Sequence, residues 1–120
     1  MVDHRAPLDR QGVSDADQLF DVLADKTRRA AIGALLERPR SSGELARTLK
    51  MSQPALSRHL RALRRAGLVE IEGDEADARL RIYSIRPGAL TPLRTWLDEA
   101  ERLWIDQLAA FKEYAERGNR

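Results

Sequence analysis

Met51-Ser-Gln-Pro-Ala-Leu-Ser-Arg-His-Leu-Arg-Ala-Leu-Arg-Arg-Ala-Gly67 decides how the rest of this 120-residue chain is read. Ser52 can accept from the free N–H groups of a first helical turn, and Pro54 stands where a missing donor costs nothing. Gly67 follows the last periodic residue and can take a positive φ, so the helix is expected to stop there. Leu56, Leu60 and Leu63 recur at helical spacing and define an apolar side. The opposite side holds Gln53, Ser57, Arg58, Arg61, Arg64 and Arg65, with no acid among them. A helix face with that much positive charge and that many hydrogen-bonding groups suits a partner rich in acceptors and negative charge, and DNA is the first candidate.

The charge distribution supports this focus. The formal net charge is only +2, but residues 38–66 hold eight basic side chains against one acid, Glu44, for a local charge of +7. Residues 1–37 and 67–89 each come to −2, and residues 90–120 to −1. One block therefore carries the positive field of an otherwise mildly acidic chain. The length suits a single domain, and a hydrophobic fraction of 42% with 33% charged residues describes an ordered, helix-rich protein. There are no cysteines, which excludes disulfides, thiolate metal sites and cysteine-based redox sensing. No apolar run reaches the length of a membrane span and the N-terminus is polar, so a cytoplasmic protein is expected.

Outward from the central helix, residues 1–13 lack periodicity and read as a loose tail. Ser14 is a plausible cap for a short helix through Leu19, Phe20, Val22 and Leu23. Asp25-Lys-Thr-Arg-Arg then leads into a second helix with Ala30, Ile32 and Ala34 to Leu36 on its apolar side, ending before Pro39. Ser41, followed three residues later by Glu44, offers a capping box for a third helix that runs to about Leu49 and turns Leu45, Ala46 and Leu49 inward. Two helices joined by three or four residues, the second presenting polar side chains, make a helix-turn-helix. After Gly67 the period changes to two: Leu68, Val69 and Ile71, then Leu80, Ile82, Tyr83 and Ile85, flank a polar tip at residues 73–79, as in a β-hairpin. Pro87-Gly88 breaks it. A last helix is expected from about Ala89 to Glu116, with Leu93, Trp96, Leu97, Ala100, Leu103, Trp104, Leu108, Phe111 and Ala115 on one side. The fold class expected is mainly α with a small β-hairpin: a winged helix-turn-helix over residues 14–88 and a long C-terminal dimerisation helix within residues 89–120.

Four blocks carry a resemblance to a known family. Asp25-Lys-Thr-Arg-Arg, Gly43-Glu-Leu-Ala46, Ser52-Gln-Pro-Ala-Leu-Ser-Arg-His-Leu60 and Leu63-Arg-Arg-Ala-Gly-Leu-Val69 resemble, in order and spacing, the ArsR/SmtB family of bacterial repressors over roughly residues 15–86. The resemblance implies a homodimer that places one recognition helix in each of two successive major grooves. It also implies an inverted-repeat operator and repression of nearby genes, often including the regulator's own.

Arg58 can pair with guanine O6 and N7, and Gln53 with adenine N6 and N7; Ser52 and Ser57 are adaptable partners, and Ala55 admits close approach or touches a thymine methyl. Gln53, Ser57 and Arg58 are the expected base readers. Arg61, Arg64 and Arg65 are expected on phosphates or in solvent. His59, with no second histidine nearby, suits a polar contact to backbone or phosphate rather than a metal. Ser41, Arg47 and Lys50 are further phosphate candidates, and Arg79 and Arg81 are the wing's. Asp74, Glu75 and Asp77 at the tip depart from the basic wing common in the family, which puts wing insertion in doubt.

The parts for metal sensing are missing. Ser41 and Gly43 stand where the family's thiolate sensors carry cysteine, and residues 89–117 hold no histidine. His4 and His59 alone cannot build a tetrahedral nitrogen and sulfur site, so no metal and no cofactor are expected. No Gly-rich phosphate loop, nucleophile elbow or His-centred constellation points to an enzyme.

The wide apolar stripe of the last helix has two readings. One is a dimer interface made by Leu93, Trp96, Leu97, Ala100, Trp104, Leu108 and Phe111 with Leu19, Phe20 and Leu23 of the first helix. The other is a pocket for a small-molecule effector between two Trp-bearing helices. The expected partners are double-stranded DNA and a second copy of the chain, without a membrane; the effector is left open. The rival functions are a winged helix kept for protein interaction and, third, a metal-responsive repressor.

Overall fold

The computed structural model describes residues 10–73 and 81–118, with side chains described from Asp15 onward. The element order is α1 (Arg10–Leu23), α2 (Lys26–Glu37), β1 (Arg40–Ser41), α3 (Ser42–Leu49), α4 (Gln53–Arg65), β2 (Val69–Glu72), β3 (Ile82–Ile85) and α5 (Thr91–Gly118). This is a mostly helical chain with a small three-stranded antiparallel sheet and a long C-terminal helix. Two compact units are distinguished among the described residues, one within residues 17–90 and one comprising residues 10–16 with 91–118.

Inside the larger unit, each helix boundary has an identifiable cause. Asp25 caps α2: its Oδ1 accepts from the N–H groups of Thr27 at 2.7 Å and Arg28 at 3.1 Å. Ser41 Oγ accepts from Glu44 N at 3.2 Å and Ser52 Oγ from Ala55 N at 3.3 Å, the two caps expected from the sequence. Lys50 ends α3 in the left-handed region, φ 56°, where Met51 N donates to Ala46 O and Lys50 N to Arg47 O. The same pair of bonds closes α4, from Leu68 N to Leu63 O and from Gly67 N to Arg64 O. Gly67 takes φ 76°, and a Cβ there would lie 2.9 Å from Arg86 Nη1, so glycine serves both conformation and space. Leu63 and Leu68, on either side of that turn, are both buried.

The core of this unit gathers Leu19, Val22, Ala31, Ile32, Ala34, Leu35, Leu45, Ala46, Leu56, Leu60, Leu63, Leu68, Val69 and Tyr83. All three leucines expected on the inner side of α4 are there. The sheet order is β1-β3-β2, with Arg40 opposite Tyr83 and Val69 opposite Ile85. Residues 74–80, including the expected acidic tip and Leu80, lie outside the described residues.

Several expectations need correction. α1 begins at Arg10, so Ser14 is inside a helix and not its cap. Serine costs a helix only a few tenths of a kcal/mol, too little to force a boundary. The apolar side of α2 is Ala31, Ile32, Ala34 and Leu35, whereas Ala30 is exposed and Leu36 is 62% exposed. Three consecutive apolar residues, as in Ala34 to Leu36, span about 200° and cannot all face inward at 3.6 residues per turn. Strand β1 was not foreseen, because two residues, one of them Arg40, show no periodicity. The last helix starts at Thr91, two residues later than expected.

Two arginines prove structural. Arg29 donates to the carbonyls of Leu23 and Ala24 at 2.7 and 3.0 Å, satisfying the end of α1. Arg40 donates from Nε to Ala34 O at 3.0 Å and pairs with Glu37 at 2.8 Å, which does the same for α2. Each supplies a donor to carbonyls that have no partner inside their helix.

The caps also titrate. The Asp25 carboxyl is held below the ordinary carboxylate range, chiefly by the Arg28 N–H, with help from the Thr27 N–H and the Arg28 charge. Glu44 is lowered chiefly by its hydrogen bond from Arg38, at 2.7 Å, and further by the Ser41 N–H. A carboxyl whose folded pKa is depressed stabilises the fold fully above its unfolded value, near 4, and loses that contribution as pH falls through the folded value. The thermal midpoint is therefore expected to fall as pH drops below about 4. Asp25→Asn, which keeps the cap and cannot titrate, is expected to show a shallower fall. A pH profile for that variant identical to the wild type would contradict this.

Candidate nucleic-acid interface

The face opposite Leu56, Leu60 and Leu63 is built by helical rotation of 100° per residue. Arg58, Arg61 and Arg65 form its outward ridge, and all are exposed, as are Gln53, Ser57 and Arg64. Among the described residues no acid forms a salt bridge with Arg58, Arg61, Arg64 or Arg65. That leaves their charge directed outward.

The two flanks of this ridge differ. On one, Gln53 and Ser57 join Ser42, Leu60, Arg81 and Tyr83 around a recess of about 90 Å³, so the flank meets the start of α3 and the start of β3. The Gln53 amide nitrogen lies 3.5 Å from where a Cβ on Gly43 would be. On the other flank, His59 is half-buried and its Nδ1 accepts from Arg28 Nε at 3.2 Å, tying α4 to α2.

The remaining expected site residues spread around this face. Ser52 and Lys50 are exposed at the turn that precedes α4, and Ala55 is half-buried on the His59 flank. Ser41 is half-buried, with its Oγ already accepting from Glu44 N, though its hydroxyl hydrogen is a donor still. Arg47 is exposed on α3. Arg81 is half-buried immediately before β3, at the loop end of the hairpin. Arg79 lies outside the described residues. Arg38 and Arg40, counted in the positive block, are engaged with Glu44 and Glu37. Arg28 was missed as a neighbour of the face. Only its place three residues after a capping aspartate hinted at a fixed position.

In the smaller unit, no residue of α5 is buried. Leu97, Leu103, Trp104, Ile105, Leu108 and Phe111 are exposed, Trp104 at 61% and Phe111 at 68%. Leu93, Trp96 and Ala100 are half-buried. The polar side is laced by pairs of Arg94 with Asp98 at 3.9 Å, of Arg102 with Glu99 and with Asp106, and of Arg117 with Glu113. Of the first-helix residues expected at an interface, Phe20 is 39% exposed and Leu23 half-buried, but Leu19 is only 3% exposed and belongs to the core of its own chain. Among the described residues no three His, Cys, Asp or Glu side chains cluster as metal ligands would. No helix among them is long and apolar enough to cross a membrane.

Comparison with known proteins places this geometry in context. Residues 25–70, from the α2 cap through the first residues of β2, match the family model described as bacterial regulatory protein, arsR family. The chain is 40% identical over 97 residues to the HTH-type transcriptional regulator Rv2034 of Mycobacterium tuberculosis, covering 81% of this chain and 85% of that protein. It is 36% identical over 95 residues to the HTH-type transcriptional regulator NmtR of the same organism, covering 79% and 74%. Among solved structures, an ArsR-like transcriptional regulator from Rhodococcus sp. RHA1 superposes with a TM-score of 0.73 at 29% identity, covering 86% of this chain and 94% of that one.

Proposed function

The chain belongs to the arsR family of bacterial regulatory proteins and is a DNA-binding transcriptional regulator, and on that premise we propose that it acts as a homodimeric repressor of an inverted-repeat operator. The observation that carries this reading is the outward face of α4, where four arginines and two hydrogen-bonding side chains stand exposed on a helix whose other side is anchored by three buried leucines. In this reading Gln53, Ser57 and Arg58 meet base edges, because side chains near the start of a recognition helix reach deepest into the major groove. Ser52 and Ala55 approach alongside them. Arg61, Arg64, Arg65, Lys50 and Ser41 set the register on phosphates, with Arg81 contributing from the start of β3.

Two half-sites about 34 Å apart need two copies of α4 held at that spacing. The uncovered apolar stripe of α5 supports its assignment as the surface that joins them. Regulation by protein level alone accounts for repression without an effector.

The test is fluorescence anisotropy on the DNA upstream of the gene and on a random duplex, across a series of salt concentrations. Wild-type affinity is expected to fall linearly on logarithmic axes, with a slope of about −0.9 for each phosphate contact. Arg58→Ala is expected to lower affinity for the upstream duplex about tenfold or more and to narrow its margin over random DNA, since a bidentate arginine–guanine pair is lost. Equal binding of both duplexes by the wild type, unchanged in the variant, would overturn base reading through α4.

A further inference from the structure

The contact between α2 and α4 has a chemical direction. Arginine has only donors, so the bond from Arg28 Nε makes His59 Nδ1 an acceptor that carries no proton. The neutral ring then holds its hydrogen on Nε2, at the other end of the imidazole. Arg28 thereby fixes both the tautomer and the orientation of His59.

The place of His59 on α4 says what such a donor can meet. Leu56, Leu60 and Leu63 mark the inward direction and Arg58, Arg61 and Arg65 the outward one. His59, one 100° step from Arg58, lies on the flank between them, on the side of α2. A helix about 10–12 Å across fills a major groove about 12 Å wide, so with Arg58 at the base edges the flank that carries His59, on the α2 side, meets one of the two groove walls. Those walls are phosphates. Asp25, whose carboxyl is lowered chiefly by the Arg28 N–H, accepts the N–H groups of its own helix. Its bonds are thus directed to α2.

We propose that Arg28 and His59 form a clamp for a single DNA backbone phosphate on the α2 side of the groove. His59 Nε2–H donates to the phosphate oxygen, and Arg28 is the positioning residue that holds the ring and adds positive charge behind it. This rests on α4 being the groove helix, and it adds a residue outside the helix-turn-helix to the DNA-binding set.

The test uses the full chain with Arg28→Ala, His59→Ala, His59→Gln and the double variant Arg28→Ala/His59→Ala, beside wild type and Arg58→Ala. Anisotropy is measured on the upstream and random duplexes, and the ring tautomer is read from long-range proton–nitrogen NMR spectra of the free protein. Arg28→Ala and His59→Ala are each expected to weaken binding to both duplexes about tenfold and leave selectivity unchanged, as loss of a phosphate contact does. The double variant is expected to be no weaker than the weaker single one, because the two residues act as a unit. His59→Gln is expected to bind like wild type, since a carboxamide can accept from Arg28 and donate to phosphate at once. The wild-type ring is expected as the Nε2–H tautomer.

Wild-type affinity in Arg28→Ala and His59→Ala, with Arg58→Ala still losing selectivity, would overturn the clamp and leave base reading intact. Equal losses in His59→Gln and His59→Ala would overturn it as well. An Nδ1–H tautomer in the wild type does so even where Arg28→Ala fails to fold. No selective binding by the wild type would instead overturn the reading on which the clamp rests.

Discussion

Replacing Trp104 and Leu108 together by glutamate is expected to yield monomers at micromolar concentration and to weaken operator binding by about a hundredfold or more. Neither side chain is buried within the chain, and Trp104 is 61% exposed, so the substitutions remove no internal packing and α5 should keep its helical content. They place two like charges in the middle of a stripe that runs from Leu97 to Phe111. Contiguous exposed apolar surface of this kind marks an interaction site, and desolvating unpaired carboxylates there is costly. If the chain acts as the homodimer proposed above, a monomer no longer binds the two half-sites as one event, so the gain from linkage disappears and only single-site affinity remains. Sedimentation velocity reads the mass, circular dichroism the helix content and anisotropy the binding. Dimers that persist in the double variant would place the interface elsewhere.

The other large effect is expected at Leu56. Leu56→Ala should lower the free energy of unfolding by about 2–5 kcal/mol, the range for leucine-to-alanine changes that leave a cavity. Leu56 is fully buried on the inner side of α4. Against a typical total of about 5–15 kcal/mol, this is a large share. Urea unfolding at fixed protein concentration measures it, since assembly would make the midpoint concentration-dependent. The same protein below its unfolding transition is expected to read DNA with the selectivity of wild type, because Leu56 contributes no group to the outward ridge. A loss below about 1 kcal/mol would mean that the anchoring of α4 is shared more widely than its burial indicates.

These two sites also show where sequence reasoning reaches and where it stops. Leu56, Leu60 and Leu63 announced their burial because a 3.6-residue period needs only local spacing to be seen. Ser52 and Gly67 were legible for the same reason, each answering a backbone requirement at a helix end. The outward set of Gln53, Ser57 and the arginines followed from subtraction on the same helix. What could not be read depended on distance in the chain. Arg28 and His59 are 31 residues apart, and only packing of α2 on α4 brings them together. Arg29 and Arg40 looked like two more cations, yet each is turned back onto helix carbonyls. Leu19 shared a helix face with Phe20 and Leu23 in the sequence, and the core claims it. Composition counts a charge or an apolar residue, but its surroundings decide which task it performs.

Strand β1 has a consequence for how binding entropy is divided. Arg40 and Ser41 are paired with Tyr83 and Ile82, which joins the loop-side end of β3 to the residue that caps α3. The chain therefore gives up the conformational freedom of this end of β3 when it folds rather than when it meets a ligand. Arg81, adjoining that paired segment, is presented from a backbone already fixed relative to α3 and α4. A contact made there carries little ordering cost of its own. Loosening Arg40 and Ser41 from β3 would transfer that cost to the binding step, so the affinity of one surface is set partly by two residues that never need to touch its partner.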